Sequence, residues 1–170
     1  MDHLWSPWRY QYVSTVASAI QCIFCAKAAD RDDAANYIVH RGTFNYVILN
    51  LFPYTCGHLM VVPYIHLATL EDLPDEVLAE MFHLVRESVR HLRAIYRPSG
   101  LNLGMNLGRA AGAGVADHIH MHVLPRWDGD ANFMTTVAET RVLPEDLPIT
   151  YAKLSGAFSA DPINRDASHP

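Results

Sequence analysis

The chain has 170 residues, of which 50% are hydrophobic and 18% charged, and its formal net charge is −5 with histidine counted as neutral. This is enough apolar material for one globular domain with a core, and the acidic balance argues against a broad surface for nucleic acid or anionic membranes. No apolar run reaches the about 18 residues of a membrane span, and the N-terminus lacks the apolar stretch of a secretory signal. We therefore expect a cytoplasmic protein without a nucleic-acid or membrane partner.

The first half of the chain predicts a strap, a short helical segment and three strands. Residues 1–20 are rich in aromatic side chains and are expected to pack across the core. Residues 26–36 combine alanine with charge and lack β-branched side chains, which favours a helical turn and a loop. Residues 37–40, 45–51 and 58–63 are short and rich in β-branched and aromatic side chains, so they predict three strands, the first two an antiparallel pair.

Residues 74–96 predict the one long helix of the domain. Apolar side chains recur there at a spacing of about 3.6 residues, and Asp75 and Glu76 place negative charge in the first turn. The order strand, strand, strand, helix, strand, strand indicates an α+β fold with an antiparallel sheet. We assign one domain to residues 1–150, followed by a helix end and polar tail at 151–170. The other predicted elements are a fourth strand at 101–107, a fifth at 118–126, a weak strand at 133–137 and a short helix at 148–158.

Three histidines at alternate positions, His118, His120 and His122, dominate the fifth strand. Alternate side chains of a strand share a face, so the imidazoles should form a row with a spacing of roughly 6.6 Å, too far for most direct contacts between the rings. Just upstream, the glycine-rich turn at 107–114 is able to aim backbone N–H groups at phosphate oxygens. Together these features indicate phosphoryl chemistry. The alternatives are a metal site, a solvated surface ladder, an expression artefact, and histidines that are satisfied core residues.

Cys22 and Cys25 form a Cys-x-x-Cys pair, and Cys56 makes the number of cysteines odd. Thiols stay reduced in the cytoplasm, so the pair indicates metal ligation or redox chemistry rather than a structural disulfide. The pair supplies only half of a tetrahedral zinc site, and two buried cysteines are nearly as common an interpretation of this spacing.

The alternation of histidine with apolar residues from His118 onward resembles the histidine triad (HIT) family. The resemblance extends from residues 4–9 through 45–63 to about Leu147, and residues 127–133 are most similar to the diadenosine tetraphosphate phosphorylase and fragile-histidine-triad-like branch. It implies a five-stranded antiparallel sheet with one long helix and a short one. It also implies a homodimer in which the sheets of two copies are continuous.

The resemblance implies an enzyme, either a nucleotide phosphorylase (adenylyltransferase) or a hydrolase, that cleaves dinucleoside polyphosphates at the α-phosphorus. His120 would be the nucleophile that forms a covalent nucleotidyl-histidine, His122 would contact the phosphate or leaving group, and His118 would complete the catalytic set without a catalytic metal. The implied nucleotide and phosphate contacts are Asn50 at the ribose hydroxyls, with Asn106, Gly112, Ala113, Gly114 and Val115 at the phosphate. From its position at a strand end, Asn50 equally fits a turn cap.

Three other functions remain open at this point. They are an adenosine phosphoramidase-type hydrolase, a non-catalytic zinc-stabilised nucleotide-binding module, and a three-histidine metalloenzyme. The second is favoured by one departure from the family, because residues 113–117 lack the Gln and Ser or Thr donors found before the first triad histidine. Gly114 also stands where the phosphorylase branch often carries Ser.

The resemblance also implies a complete structural zinc site. Its ligands would be Cys22, Cys25, His66 and His118, with no position left open for substrate.

A second anion pocket would favour phosphate over water as the acceptor in the reaction. Its candidate donors are Arg109, Arg126 and the loop around Asn132.

Overall fold

The computed structural model describes residues 22–131 and 143–160. The predicted N-terminal strap, the predicted strand at 133–137 and the polar tail lie outside these ranges. The elements in chain order are α1 (Ile23–Ala29), α2 (Asp33–Asn36), β1 (Ile38–Arg41), β2 (Asn45–Leu49), β3 (Leu59–Pro63), α3 (Asp75–Tyr96), β4 (Gly100–Gly104), a 3₁₀ turn (Arg109–Ala111), β5 (Met121–Arg126) and α4 (Leu147–Ala160).

The five strands form one sheet in the order β1-β2-β3-β5-β4, and each neighbouring pair is antiparallel. This confirms the predicted α+β class with a five-stranded antiparallel sheet. The strand β5 lies between β3 and β4, with Leu59 opposite Val123 and Leu103 also opposite Val123. The helix α3 follows β3 in the chain and makes the crossover that places β4 beyond β5.

The prediction that all three triad histidines lie on one strand is wrong, because β5 begins only at Met121. The last pair that joins β3 to β5 is Val61 with Met121. Beyond it, β3 ends at Pro63, whose missing N–H cannot donate to the ladder. The N–H of Ile119 instead donates to the carbonyl of Leu67 at 2.7 Å. His118 and His120 therefore occupy an irregular segment that leads into the strand.

The alternation of strand side chains divides the interior into two clusters, one on each face of the sheet. One face packs against α3 and α4, and the other carries α1. The α3 face includes Val47, Leu49, Leu59 and Val61, while the α1 face includes Tyr46, Ile48, Met60 and Val62 around Phe24. The histidines at 120 and 122 belong to the α1 face, because Ile119, Met121 and Val123 lie in the α3 cluster.

Helix α3 is anchored to the β1–β2 turn by one carboxylate. Glu80 accepts the backbone N–H groups of Thr43, Phe44 and Asn45, each at 2.7 Å, and the side-chain amide of Asn45 at 2.9 Å. Charged acceptors strengthen such bonds, so this contact holds the turn against the helix.

The predicted short helix corresponds to α4, which begins at Leu147 and ends at Ala160. Its Leu154 and Phe158 are buried in the α3 cluster. The proposed domain end at residue 150 therefore falls inside a helix that contributes to the same core. Across residues 22–131 and 143–160, no helix combines the length and apolar character needed to cross a bilayer.

Candidate active site and metal cluster

A pocket enclosing about 770 Å³, part of it open to solvent, lies on the α1 face of the sheet. Its floor is formed by Met60 of β3 and Ile48 of β2, and α1 forms one wall. Five of the predicted nucleotide contacts and two triad histidines line it: Asn50, Asn106, Gly112, Gly114, Val115, His120 and His122. Most other lining residues are apolar, a composition typical of small-molecule sites.

His120 is held in one tautomer by the main chain. Its Nδ1 lies 2.9 Å from the carbonyl oxygen of His118, and because a carbonyl only accepts, Nδ1 must donate. Burial lowers the pKa of His120, although this hydrogen bond acts in the opposite direction. The ring is therefore neutral near pH 7 with Nε2 unprotonated, which is the form that can attack phosphorus.

His122 is oriented by a fourth histidine, His58, that the sequence reasoning missed. The Nδ1 atom of His58 accepts the backbone N–H of Tyr54 at 3.2 Å, so the proton of neutral His58 is on Nε2. That Nε2 lies 2.9 Å from Nδ1 of His122 and donates to it. Neutral His122 therefore carries its own proton on Nε2. Burial, with smaller effects from His122 and His120, lowers the pKa of His58 to about 3 and keeps it neutral.

The rings of His120 and His122 are in contact, with centroids 4.9 Å apart in a T-shaped arrangement. The sequence predicted that the rings would be too far apart for most direct contacts. That prediction is wrong for this pair, because it assumed regular strand geometry through His120. One ring offers a bare nitrogen and its neighbour offers an N–H. The pair can therefore attack a phosphorus atom and donate to an oxygen of the same ligand.

Asn50 caps the turn after β2 and also lines the pocket. Its Oδ1 accepts the N–H of Phe52 at 3.0 Å, which makes it the turn cap considered above. Its Nδ2 lies 3.3 Å from Nδ1 of His58, and the residue also lines the pocket. Asn106 lines the pocket as well, and its amide makes no hydrogen bond to any described residue. The Asn106 amide is therefore available to a ligand.

The glycine-rich turn offers fewer amides than expected. The N–H of Gly112 donates to the carbonyl of Arg109 at 2.9 Å, and the N–H of Ala113 lies 3.4 Å from the carbonyl of Gly108. Ala113 is also not among the lining residues. Two of the four predicted amides thus close the turn itself, because the 3₁₀ conformation satisfies them internally. The amides of Gly114 and Val115 remain the predicted phosphate contacts.

Two of the candidate donors for a second phosphate, Arg126 and Arg109, are not among the residues that line the pocket. Arg126 is engaged by both oxygens of Asp130, with Nε to Oδ2 at 2.5 Å and NH2 to Oδ1 at 2.7 Å, and by Oδ1 of Asn102 at 2.7 Å. A guanidinium held in this way is not free to bind an anion. Arg109 lies in the 3₁₀ turn and is exposed, while Asn132 lies outside the described ranges.

His118 leaves the row and joins Cys22, Cys25 and His66 in a cluster whose four ligand atoms lie within 4.8 Å of one another. Nδ1 of His118 is 3.3 Å from Sγ of Cys22, 3.6 Å from Sγ of Cys25 and 3.2 Å from Nδ1 of His66. Tetrahedral zinc with ordinary bond lengths separates a sulfur and a nitrogen ligand by about 3.6 Å and two nitrogens by about 3.3 Å. The four donors thus have the ligand chemistry of a zinc site, and these three distances are close to tetrahedral spacing.

Nε2 of His118 donates to the carbonyl of Pro63 at 2.9 Å, which leaves Nδ1 unprotonated for a metal. Phe24 lies between the cluster and the pocket, 5.4 Å from the ring centroid of His118 and 5.0 Å from that of His120. The first triad histidine therefore belongs to the metal cluster by its side chain and to the active site only by its carbonyl.

Other pocket residues were not anticipated as functional. Lys27 lies in a segment of alanine and charge in which no chemistry was visible, and Phe52 and Tyr54 belong to the turn after β2. The available signals were the helical spacing of Ile23 and Lys27, which places both on one face, and the aromatic residues beside Asn50.

Comparison with known proteins decides the family. The HIT domain family model matches residues 32–129. The chain belongs to the HIT family. A HIT protein from Mycobacterium tuberculosis named AP-4-A phosphorylase is 37% identical over 169 residues, which cover 95% of this chain and 87% of the relative. This relative confirms the prediction of a HIT-family enzyme.

Solved HIT structures agree with the fold. A zinc-bound histidine triad family protein from Mycobacterium smegmatis has a TM-score of 0.66 and 30% identity, and the match covers 82% of this chain and 94% of that one. A HIT family member from Bacillus subtilis has a TM-score of 0.57 and 31% identity over 88% of this chain and 99% of its own. The cluster in this HIT protein could hold a metal at the position where its four ligands converge.

Proposed function

We propose that this HIT protein cleaves dinucleoside polyphosphates of the diadenosine tetraphosphate type at the α-phosphorus, through a covalent nucleotidyl-His120 intermediate. The observation that carries the proposal is the bond from His120 Nδ1 to the His118 carbonyl, inside a pocket of apolar and amide side chains. It leaves a neutral ring with a bare Nε2 in a pocket that we expect to hold a nucleoside phosphate. The phosphorylase relative supports the substrate class.

The first step forms a bond between His120 Nε2 and the α-phosphorus and breaks the bond from that phosphorus to the bridging oxygen. For diadenosine tetraphosphate the leaving group is ATP. His122, with its proton on Nε2, is placed to donate a hydrogen bond to the departing oxygen. The amides of Asn106, Gly114 and Val115 would stabilise charge on the non-bridging oxygens, usually a large share of the catalytic effect.

In the second step an oxygen nucleophile attacks the nucleotidyl-histidine and frees His120. Inorganic phosphate gives ADP, and water gives AMP. We favour phosphate, because the relative that aligns over nearly the whole chain is named as a phosphorylase. Since Arg126 is engaged by Asp130, the acceptor phosphate would depend on other groups, of which Arg109 is one candidate.

The test is to incubate the purified protein with diadenosine tetraphosphate, with and without inorganic phosphate, and to identify the products. ADP and ATP formed only with phosphate support phosphorolysis. AMP and ATP formed regardless of phosphate would show a hydrolase. In a rapid-quench experiment with substrate labelled in the transferred nucleotide, we expect an initial burst of ATP. The label should remain on the protein. If turnover occurs without this label, the covalent mechanism is wrong.

We also propose that Cys22, Cys25, His66 and His118 bind zinc. The ion would be structural, because four protein ligands fill its coordination sphere and tie α1 to the segment that carries His120. Carefully purified protein should contain about one zinc per chain by elemental analysis, and Cys22→Ser should lower that content while slowing turnover less than it lowers thermal stability. Protein that is fully active and contains no stoichiometric metal would contradict this.

The homodimer and the cytoplasmic location also remain proposals. The strand β4 is an exposed edge of the sheet, and its Leu103 is 52% exposed, which suits pairing with a second copy. Light scattering coupled to size-exclusion chromatography should give twice the chain mass, and a monomer at micromolar concentration would exclude this dimer.

A further inference from the structure

Lys27 is a cationic residue among those that line the pocket. Helix α1 begins next to the metal cluster, at Cys22, and runs toward β1. At its far end Arg41 donates to the carbonyls of Ala28 and Asp30 at 2.8 and 2.7 Å. Lys27 therefore lines the pocket at the end remote from the triad.

The residues of the pocket floor also extend away from the triad, toward β2. His122 lies opposite Met60, and Met60 lies opposite Ile48, so these three lining residues cross β5, β3 and β2 in one line. With adjacent strands about 4.8 Å apart, the line covers roughly 10 Å. A nucleotide whose α-phosphate contacts the triad would place its base over Met60 and Ile48. The ammonium of Lys27 would then face the edge of that base.

The ammonium has a hydrogen to spare for a ligand. Nζ of Lys27 donates to the carbonyl and to Oδ1 of Asn36, at 3.3 and 3.2 Å, and these are its only acceptors among the described residues. An ammonium carries three hydrogens, and both bonds lie at or beyond the long end of the usual range. The side chain is thus tethered loosely, with donor capacity left over.

Purine bases differ at the edge that such a donor would meet. Guanine presents two neighbouring acceptors, N7 and O6, whereas adenine presents N7 beside the donating amino group at N6. Hypoxanthine has the same two acceptors as guanine. A lysine ammonium can donate to both N7 and O6 of guanine or hypoxanthine. In adenine it meets only one acceptor, N7, beside an amino group that also donates.

We propose that Lys27 recognises the base, and that the pocket prefers nucleotides of 6-oxopurines, guanine and hypoxanthine, to those of adenine. This inference rests on the proposed function for the direction in which the nucleotide lies. It extends the substrate class to dinucleoside polyphosphates that carry a 6-oxopurine.

Affinities of GMP, IMP and AMP, measured by titration calorimetry, test the inference without any turnover. Wild-type protein should bind GMP and IMP equally, and both roughly tenfold more tightly than AMP. Lys27→Met keeps the length of the side chain and removes its donors, so it should bring GMP and IMP to the affinity of AMP. Lys27→Arg keeps a cationic donor and should retain the preference.

Lys153→Met is the matched control, because it removes the other lysine of the chain, which pairs with Glu145 away from the pocket. It should leave the ratio of GMP to AMP affinity unchanged. Equal binding of the three nucleotides by wild-type protein would overturn the inference, as would a preference for GMP that IMP does not share. Binding of none of them would overturn the proposed function as well.

Discussion

The two faces of the sheet are built from alternate residues of the same strands but differ in how they are covered. On one face, Leu49, Leu59 and Val61 pack beneath α3, a helix of 22 residues, and α4 adds Leu154 and Phe158. On the other face, Ile48 and Met60 lie beneath α1, which has only seven residues. The long helix covers the larger of the two buried clusters, whereas a pocket lies over the histidines beside the short helix. Stability and chemistry can therefore be disturbed separately.

The largest expected effect is on the chemistry of the open face. His120→Ala removes the proposed nucleophile, and turnover of diadenosine tetraphosphate should fall roughly a thousandfold or more. Nucleotide binding and the thermal midpoint should change little, since the apolar pocket remains. His83→Ala, on α3, is the control and should keep wild-type turnover. Near wild-type activity in the His120 variant would refute covalent catalysis by this residue.

The next effect belongs to the covered face. Met81 of α3 is fully buried in the larger cluster. Met81→Ala should lower the free energy of unfolding by about 2–5 kcal/mol, because it removes buried surface and leaves a cavity. At a temperature where the variant is folded, its kcat should match that of wild type. A loss of kcat with unchanged stability would show that the two faces are coupled more closely than their packing indicates.

A smaller effect is expected at His58, which shapes the open face without reaching the substrate directly. His58→Phe keeps a ring but removes the donor to His122, so kcat should fall about 10- to 100-fold while KM changes little. His58→Gln, whose amide can still donate, should recover part of the loss. Equal kcat values for the two variants would show that the hydrogen bond to His122 does not matter for turnover.

The smallest effect concerns pH and the turn held by Glu80. Burial alone would raise the pKa of Glu80, but the side chain of Asn45 and three backbone N–H groups lower it below the ordinary value of 4.5. A carboxyl whose folded-state pKa is depressed stabilises the fold above its unfolded pKa and loses that contribution as pH falls through the folded value.

Glu80→Gln should therefore lower the free energy of unfolding by roughly 1–3 kcal/mol near pH 7. The difference from wild type should shrink below about pH 4, as urea unfolding at several pH values would reveal. Glu76→Gln, in the first turn of the same helix, serves as a control that lacks the contacts to the turn. A deficit that stays constant down to acid pH would mean that the charge of Glu80 is not what stabilises the turn.

Much of the fold could be predicted because its periodicities are clear. The β-branched and aromatic composition of 45–51 and 58–63 and the 3.6-residue spacing in 74–96 predicted elements that the structure places within a few residues. The triad segment was harder, because alternation alone does not show that Pro63 ends the partner strand. The number of available backbone amides in the glycine turn depends on internal bonds that sequence cannot show.

The positions of His58 beside His122 and of Lys27 in the pocket lining escaped prediction for a different reason. His58 contacts His122, which is close in space but 64 residues away in the sequence, and Lys27 lines a pocket most of whose other residues come from distant parts of the chain. A lone histidine at the start of a strand and a lone lysine in a short helix carry no local pattern that reveals such partners. The family resemblance supplied the ligands at His66 and His118, which spacing alone would not have joined to Cys22 and Cys25.

The bond between His120 and the His118 carbonyl also bears on how this enzyme tolerates inherited change. Every amino acid at position 118 has that carbonyl, so no amino-acid replacement deletes the acceptor that fixes the tautomer of His120. The hydrogen bond of His122 differs, because its partner is the side chain of His58, which a replacement at position 58 removes. In a saturation survey scored for activity, position 58 should thus tolerate few replacements. Replacements at position 118 should lower activity only to the extent that its contacts with Cys22, Cys25 and His66 are needed.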